Sequence, residues 1–166
     1  TVLSSIDAGK LPAPSEEVKK AGIAELRALR AYYYWLICDN FGDAPLLTAP
    51  TLDLPVSSTR REIYNFIVSE LKEVNPSLSE VQGGVMYGRM NKWAGKTLLA
   101  NVYLNATVYV GEPHWDDCIA QCDEIINSGK CNLSPNYRDN FRALGTESSK
   151  EILLTSPFDR TLAGGN

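Results

Sequence analysis

The sequence predicts a mainly α-helical fold: two helical hairpins joined by long loops, with a short strand near the C-terminal end. Three observations lead there. Residues 25–48, ELRALRAYYYWLICDNFGDAPLLT, carry a helical apolar period that stops at an abrupt turn. A helix apolar on more than one side is followed by one apolar on a single side, and this order occurs twice. Stretches bearing proline and glycine separate the segments.

Residues 1–14 contain Gly9, Pro12 and Pro14 and read as a loop or frayed lead-in. Ser15-Glu16-Glu17 then marks a helix start, with serine as N-cap and two carboxylates near the positive end of the helix dipole. At about 100° per residue, Ala24, Ala28, Ala31, Trp35 and Cys38 form one stripe. Leu26, Leu29, Tyr33 and Leu36 form another on the opposite side, so this helix is expected to be sandwiched between two neighbours. Glu25, Arg27 and Arg30 fall between the stripes and reach water. Asn40-Phe41-Gly42-Asp43 supplies the stop, with Gly42 free to take a positive φ, and Pro45 forbids continuation.

Pro45, Pro50 and Pro55 make 42–57 an extended connector across the surface. Ser58 or Thr59 caps the second helix, with Glu62 three residues after Thr59 as in a capping box. Ile63, Tyr64, Phe66, Ile67, Leu71 and Val74 gather on one side of it, while Glu62, Asn65, Ser69, Lys72 and Glu73 take the other. After Gly83, Gly84 and Gly88 a third helix is expected over residues 89–109, its apolar residues surrounding the axis from Trp93 to Leu104. Beyond Gly111-Glu112-Pro113 a fourth helix places Trp115, Cys118, Ile119, Cys122, Ile125 and Ile126 on one buried face. Glu151-Ile-Leu-Leu-Thr reads as a short strand. Nothing after it is able to pair with it, and the sequence starts at Thr1 with no secretory apolar region, so a piece of a larger protein is expected.

The alternation is of the tetratricopeptide (TPR) kind, giving hairpins at 16–75 and 89–129 within one helical region, 1–166. Laying 27–35 over 96–104 pairs Leu29 with Leu98, Ala31 with Ala100 and Tyr34 with Tyr103. The strict W-x2-L-G-x2-Y pattern is absent, so these are TPR-like pairs and not regular repeats.

Composition narrows the function classes. With 44% hydrophobic and 22% charged residues the chain is globular, and a net charge of -4 without a block of Lys or Arg longer than a pair argues against nucleic-acid binding. His114 is the only histidine, and no G-x-S-x-G, P-loop or H-E-x-x-H occurs. The carboxylate pairs Asp116-Asp117 and Glu16-Glu17 point in different directions along a helix and read as solvated faces. No catalytic residue, enzyme activity or cofactor is therefore expected.

His114, Cys118 and Cys122 stand at i, i+4 and i+8, and Cys131 follows nine residues later, an N/S donor set that a tetrahedral zinc site would use. Soft-ligand sites normally come from tight C-x2-C turns, so the favoured reading makes Cys118 and Cys122 core residues with no metal. A Cys122–Cys131 disulfide, like the state of Cys38, stays open. Tyr32 to Trp35 offer an aromatic platform for sugars; Tyr33 and Trp35 are expected in the core, with Tyr32 and Tyr34 left undecided. Asn105-Ala-Thr107 and Asn132-Leu-Ser134 read as chance matches to a glycosylation sequon.

The order of parts is familiar. RALRAYYYWLICDNFGDAPLL, STRREIYNFIVSEL, YGRMNKWAGKTLLANVYL, HWDDCIAQCDEIINSGKCNLSPNY and KEILLT follow one another, and over residues 21–155 they resemble the SusD/RagB family. The most specific piece is the Arg-Ala-aromatic helix ending in Phe41-Gly42-Asp43 and Pro45. The resemblance implies a part of a surface-exposed outer-membrane lipoprotein of Gram-negative bacteria. Such a protein captures oligosaccharides, or in some relatives peptides, for a TonB-dependent SusC-like transporter. Members are several-fold longer than this chain and begin with a lipidated Cys after a signal peptide; both are absent here, as are the later segments that build much of the family's glycan-binding face, so the ligand-binding residues stay unassigned. The alternative is a free-standing TPR-like adaptor holding a peptide or partner helix on its concave side.

Overall fold

The computed structural model describes residues 2–142 and 149–156, and it is mainly helical. In chain order the helices are α1 Val2–Asp7, α2 Glu16–Phe41, α3 Arg60–Val74, α4 Lys92–Leu104, α5 Ala106–Val110 and α6 Trp115–Asn127. A two-stranded antiparallel ladder, β1 Ala44–Pro45 and β2 Ser57–Ser58, lies between α2 and α3. α2 packs along α3, α4 packs along α6, and α3 carries the contacts that join the first pair to α4 and α5.

Local chemistry sets the ends of the first pair. Ser15 Oγ accepts from Val18 N, and Thr59 and Glu62 complete a reciprocal capping box at α3. Gly42 takes φ +78°, and a Cβ there would lie 2.9 Å from the Arg60 guanidinium. Asp43 Oδ1 accepts from Arg60 N at 2.7 Å, so the residue after the glycine serves the start of the next helix. Pro45 then pairs with Ser57. The segment expected as a plain extended connector is therefore an excursion closed at its neck. It is also tied part-way, because the Tyr34 hydroxyl accepts from Leu47 N at 2.7 Å and lies 3.0 Å from Leu47 O.

The small stripe of α2 behaves as expected: Ala24, Ala28, Ala31 and Cys38 are buried, against Ile63, Ile67 and Leu71 of α3 in the common core. The large stripe does not. Leu29 and Tyr33 are exposed and Leu26 and Leu36 half-buried, so that side of α2 is only partly covered and the helix is not sandwiched. The arginines between the stripes do not simply reach water either. Glu70 of α3 is buried and accepts from Arg27 Nη2 and Arg30 Nη2, each at 2.5 Å, while Arg27 also holds Glu73 at 2.7 Å. Glu25 pairs with Arg89 at 2.7 Å.

Further differences from the sequence reading have local causes. The lead-in is helical over Val2–Asp7, and Gly9 ends it with φ +68°. The third helix divides into α4 and α5 at Asn105, whose φ of -93° and ψ of 6° leave the helical region and whose side chain donates to Asn101 O at 3.0 Å. α4 itself is buried nearly all round, as predicted, and Gly95 lets the α3–α4 connection sit directly on it: a Cβ there would meet Asn75 Oδ1 at 2.6 Å. α6 has no buried residue, and its Trp115, Ile119 and Ile126 are exposed. The expected strand at 151–155 has no ladder partner among the described residues and carries no regular element.

Two outcomes test this packing. Ala31→Leu overpacks the fully buried small stripe and costs on the order of 1–3 kcal/mol, read by denaturant titration. Burial pushes the Glu70 carboxyl up, but hydrogen bonds from Arg27 and Arg30 outweigh it and hold the group below the usual carboxylate range. A lowered folded pKa means stability that is fully present above the ordinary carboxylate range and is lost as pH falls through the folded value. Glu70→Gln removes this acid-side loss and lowers stability at neutral pH by on the order of 3 kcal/mol; parallel unfolding titrations of both proteins across acid and neutral pH check it.

Candidate functional site

The candidate site is built on α2, α4 and the segment 151–154. Tyr32 and Trp35, one helical turn apart on α2, face Ala94, Thr97, Leu98 and Asn101 of α4 across a groove of about 390 Å3, floored by Met90. The Tyr32 and Trp35 rings stand 5.8 Å apart and are tilted by 42°, and Tyr33 meets Tyr32 edge-on at 5.6 Å. The remaining wall is the chain from Glu151 through Leu154.

One buried asparagine organises that wall. Asn91 Oδ1 accepts from Trp93 N and Ala94 N, each at 3.0 Å, which starts α4, and its Nδ2 donates to Leu153 O at 3.1 Å, which seats the wall. Lys150 O accepts from Asn132 N at 3.3 Å. The Glu151 carboxylate accepts from Ser134 N at 2.8 Å and Asn140 Nδ2 at 2.7 Å, and these bonds, led by the Ser134 N–H, hold it below its usual range. Asn91 was available to sequence reasoning, since an asparagine directly before an apolar run is a helix-cap signal. Its second bond was not, because it spans 62 residues.

The lining is mainly apolar and aromatic, with the exposed Asn101 amide at the rim and a Thr97 hydroxyl that has no partner among the described residues. Such a surface suits a ligand with a flat apolar face and peripheral hydroxyls. The one carboxylate among the lining residues, Glu151, is already engaged by two donors.

The other residues singled out in the sequence fall elsewhere. Tyr33 is 57% exposed, contrary to its expected core position, while Trp35 is half-buried and Tyr34 is spent on Leu47 and on Phe66, 5.3 Å ring to ring. His114 stacks on Tyr103 at 5.8 Å and bonds Asp117 through Nδ1 at 2.9 Å, and burial pushes the nearby Tyr64 phenol up to about 12. All four cysteines are free, so the Cys122–Cys131 bridge is not formed; Cys131 Sγ instead accepts from Gln82 Nε2 at 2.9 Å. Burial raises the Cys38, Cys118 and Cys131 thiols, Cys118 further through Cys122, and among the described residues no three His, Cys, Asp or Glu side chains converge as a metal set. Glu16 and Asp116 lie on exposed helix starts.

The two aromatic environments separate in a stability experiment. Trp35→Ala removes a groove wall and costs about 2–4 kcal/mol, whereas Tyr33→Ala stays within about 0.5 kcal/mol; urea midpoints of the two variants give the comparison.

Comparison with known proteins gives the fold and the site a context. Residues 1–104 match the SusD-like family described as "Starch-binding associating with outer membrane". The chain is 36% identical over 134 residues to the starch-binding protein SusD of Bacteroides thetaiotaomicron, covering 79% of this chain and 24% of that protein. It superimposes on a SusD-like carbohydrate binding protein from Bacteroides fragilis with a TM-score of 0.78 at 21% identity, over 92% of this chain and 30% of that one. A structure solved with a xylogluco-oligosaccharide gives 0.77 at 25% identity, over 92% and 32%. The chain thus spans 24% to 32% of the length of these relatives. With its helical pairs, its Phe41-Gly42-Asp43 exit and a family match over more than half its length, this chain belongs to the SusD-like family.

Proposed function

We propose that the protein carrying these residues binds oligosaccharides at the bacterial outer membrane without cleaving them, and passes them to a SusC-like TonB-dependent transporter. A lipid anchor holds it at the cell surface. Within it, residues 1–166 act as one helical region whose hairpins, 16–75 and 89–129, form the scaffold. The observation that carries this reading is the 36% identity to a protein named for starch binding. The aromatic-walled groove agrees with it, since flat rings stack on the apolar faces of pyranoses and the Glu151 carboxylate is held in hydrogen bonds. Among the described residues no helix is long and apolar enough to cross a membrane. Nothing in the comparisons favours the free-standing adaptor.

The test uses the natural gene product, recovered from fractionated cells and titrated calorimetrically with starch-, laminarin- and xyloglucan-derived oligosaccharides. The expected result is a lipidated outer-membrane protein that binds at least one of the three and leaves its length unchanged on overnight incubation. A soluble, unlipidated product that binds none of them overturns the proposal.

A further inference from the structure

A polar recess of about 370 Å3, a volume within the range of small-molecule sites, opens where the end of α3, the first turns of α4 and α6 meet. Lys92 and Lys96 stand one turn apart on α4, Lys72 comes from the last turn of α3, and Gln121 and Glu124 line the recess from α6. Lys96 is 8% exposed, and its Nζ donates to Glu124 Oε2 at 2.5 Å and to Gln121 Oε1 at 3.5 Å. Lys92 Nζ pairs at 2.6 Å with Glu80, whose carboxylate is not part of the lining. Lys72 forms no ion pair among the described residues, so the recess keeps one uncompensated positive charge. The remaining polar group is one that the fold leaves unsatisfied. Asn75 is 6% exposed, and its buried Oδ1 accepts from no donor among the described residues. Gly95 and Leu78, beside it, have no side-chain donor to offer. A buried acceptor without a donor is a cost that a hydroxyl entering the recess removes.

We propose that this recess is a second ligand site, for an acidic sugar residue bearing one negative charge, whose anionic group lies against Lys72 and one of whose hydroxyls donates to Asn75 Oδ1. The chemistry follows from the lining. A single free ammonium matches a single negative charge, and a neutral sugar leaves it without a counterpart. Glu124, already held by Lys96, sets the upper limit, because a second negative charge on the ligand would face that carboxylate unpaired. The anionic group alone does not satisfy Asn75, since a carboxylate or sulfate oxygen has no proton to give it; a sugar supplies the anion and the hydroxyl together. The site presupposes that the protein binds glycans, as proposed above, and shares no lining residue with the groove between α2 and α4.

The experiment uses the full-length natural gene product, titrated with glucuronate, a glucose sulfate ester and glucose, and beside them with the neutral starch-, laminarin- and xyloglucan-derived oligosaccharides. The expected result is that at least one of the two acidic sugars binds about fivefold or more tightly than glucose, and that the difference shrinks at high salt. Lys72→Gln, at an exposed position, brings the acidic sugars down to the level of glucose, while Lys72→Arg keeps the preference. Both variants bind the neutral oligosaccharides as the parent does. No preference for an acidic sugar, or a preference that survives Lys72→Gln, overturns the proposal. Neutral oligosaccharides bound without any acidic preference remove this site and leave the glycan reading in place, whereas no binding of any sugar removes both. Acidic sugars bound through Lys72 without any of the neutral oligosaccharides keep the site and confine the function to charged glycans.

Discussion

The closeness of α2 to α3 is the constraint on which the rest of the molecule depends. Alanines at 24, 28 and 31 leave no side-chain bulk between the helices, so Ile63, Ile67 and Leu71 come up against the α2 backbone. At that separation Glu70 cannot reach solvent, and it is stabilised only because Arg27 and Arg30 arrive from the facing helix within 2.5 Å. A buried carboxylate with a single partner would be a net cost, whereas Glu70 is shared between two guanidiniums, one of which, Arg27, also pairs with Glu73. The fixed α2–α3 pair then positions α4, through the glycine notch at Gly95 and the Asn75 turn that occupies it.

Features set within a few residues were legible in the sequence. Ser15, the Thr59–Glu62 box, the Gly42 stop and the buried stripe of alanines all act within their own helix or at its end, and each stands where it was read. Features set across the chain were not. Glu70 looks like any polar residue on a helix until Arg27 and Arg30 are placed beside it, 43 and 40 residues away. Periodicity says that Tyr33 and Trp115 belong to apolar sectors, yet a sector is buried only when an element covers it. The candidate groove was less legible: Tyr32 was left undecided and Trp35 expected in the core, and the far wall depends on the bond from Asn91 to Leu153.

The groove and the core also divide the aromatic residues by task. Tyr109 donates to Asp39 at 2.6 Å and ties α5 to the end of α2, burial and that bond together raising its phenol above the usual range. Tyr64 and Tyr103 enclose His114, and Tyr34 holds the excursion after α2. Tyr32 and Trp35 are left lining the groove beside α4, while Tyr33 stands exposed next to Tyr32.

The closed neck of the excursion between β1 and β2 has a consequence for variation. Because Ala44 pairs with Ser58, Pro45 with Ser57, and Asp43 with the first amide of α3, the angle between α2 and α3 is fixed before the chain enters residues 46–56. Leu52, Leu54 and Val56 there touch almost nothing. Loop entropy changes slowly with length, so residues can be added to or removed from this tip with little effect on the helices beneath. Beyond the Tyr34–Leu47 tie, the exposed tip is the part of the excursion whose length can change while the closed neck keeps the scaffold as it is.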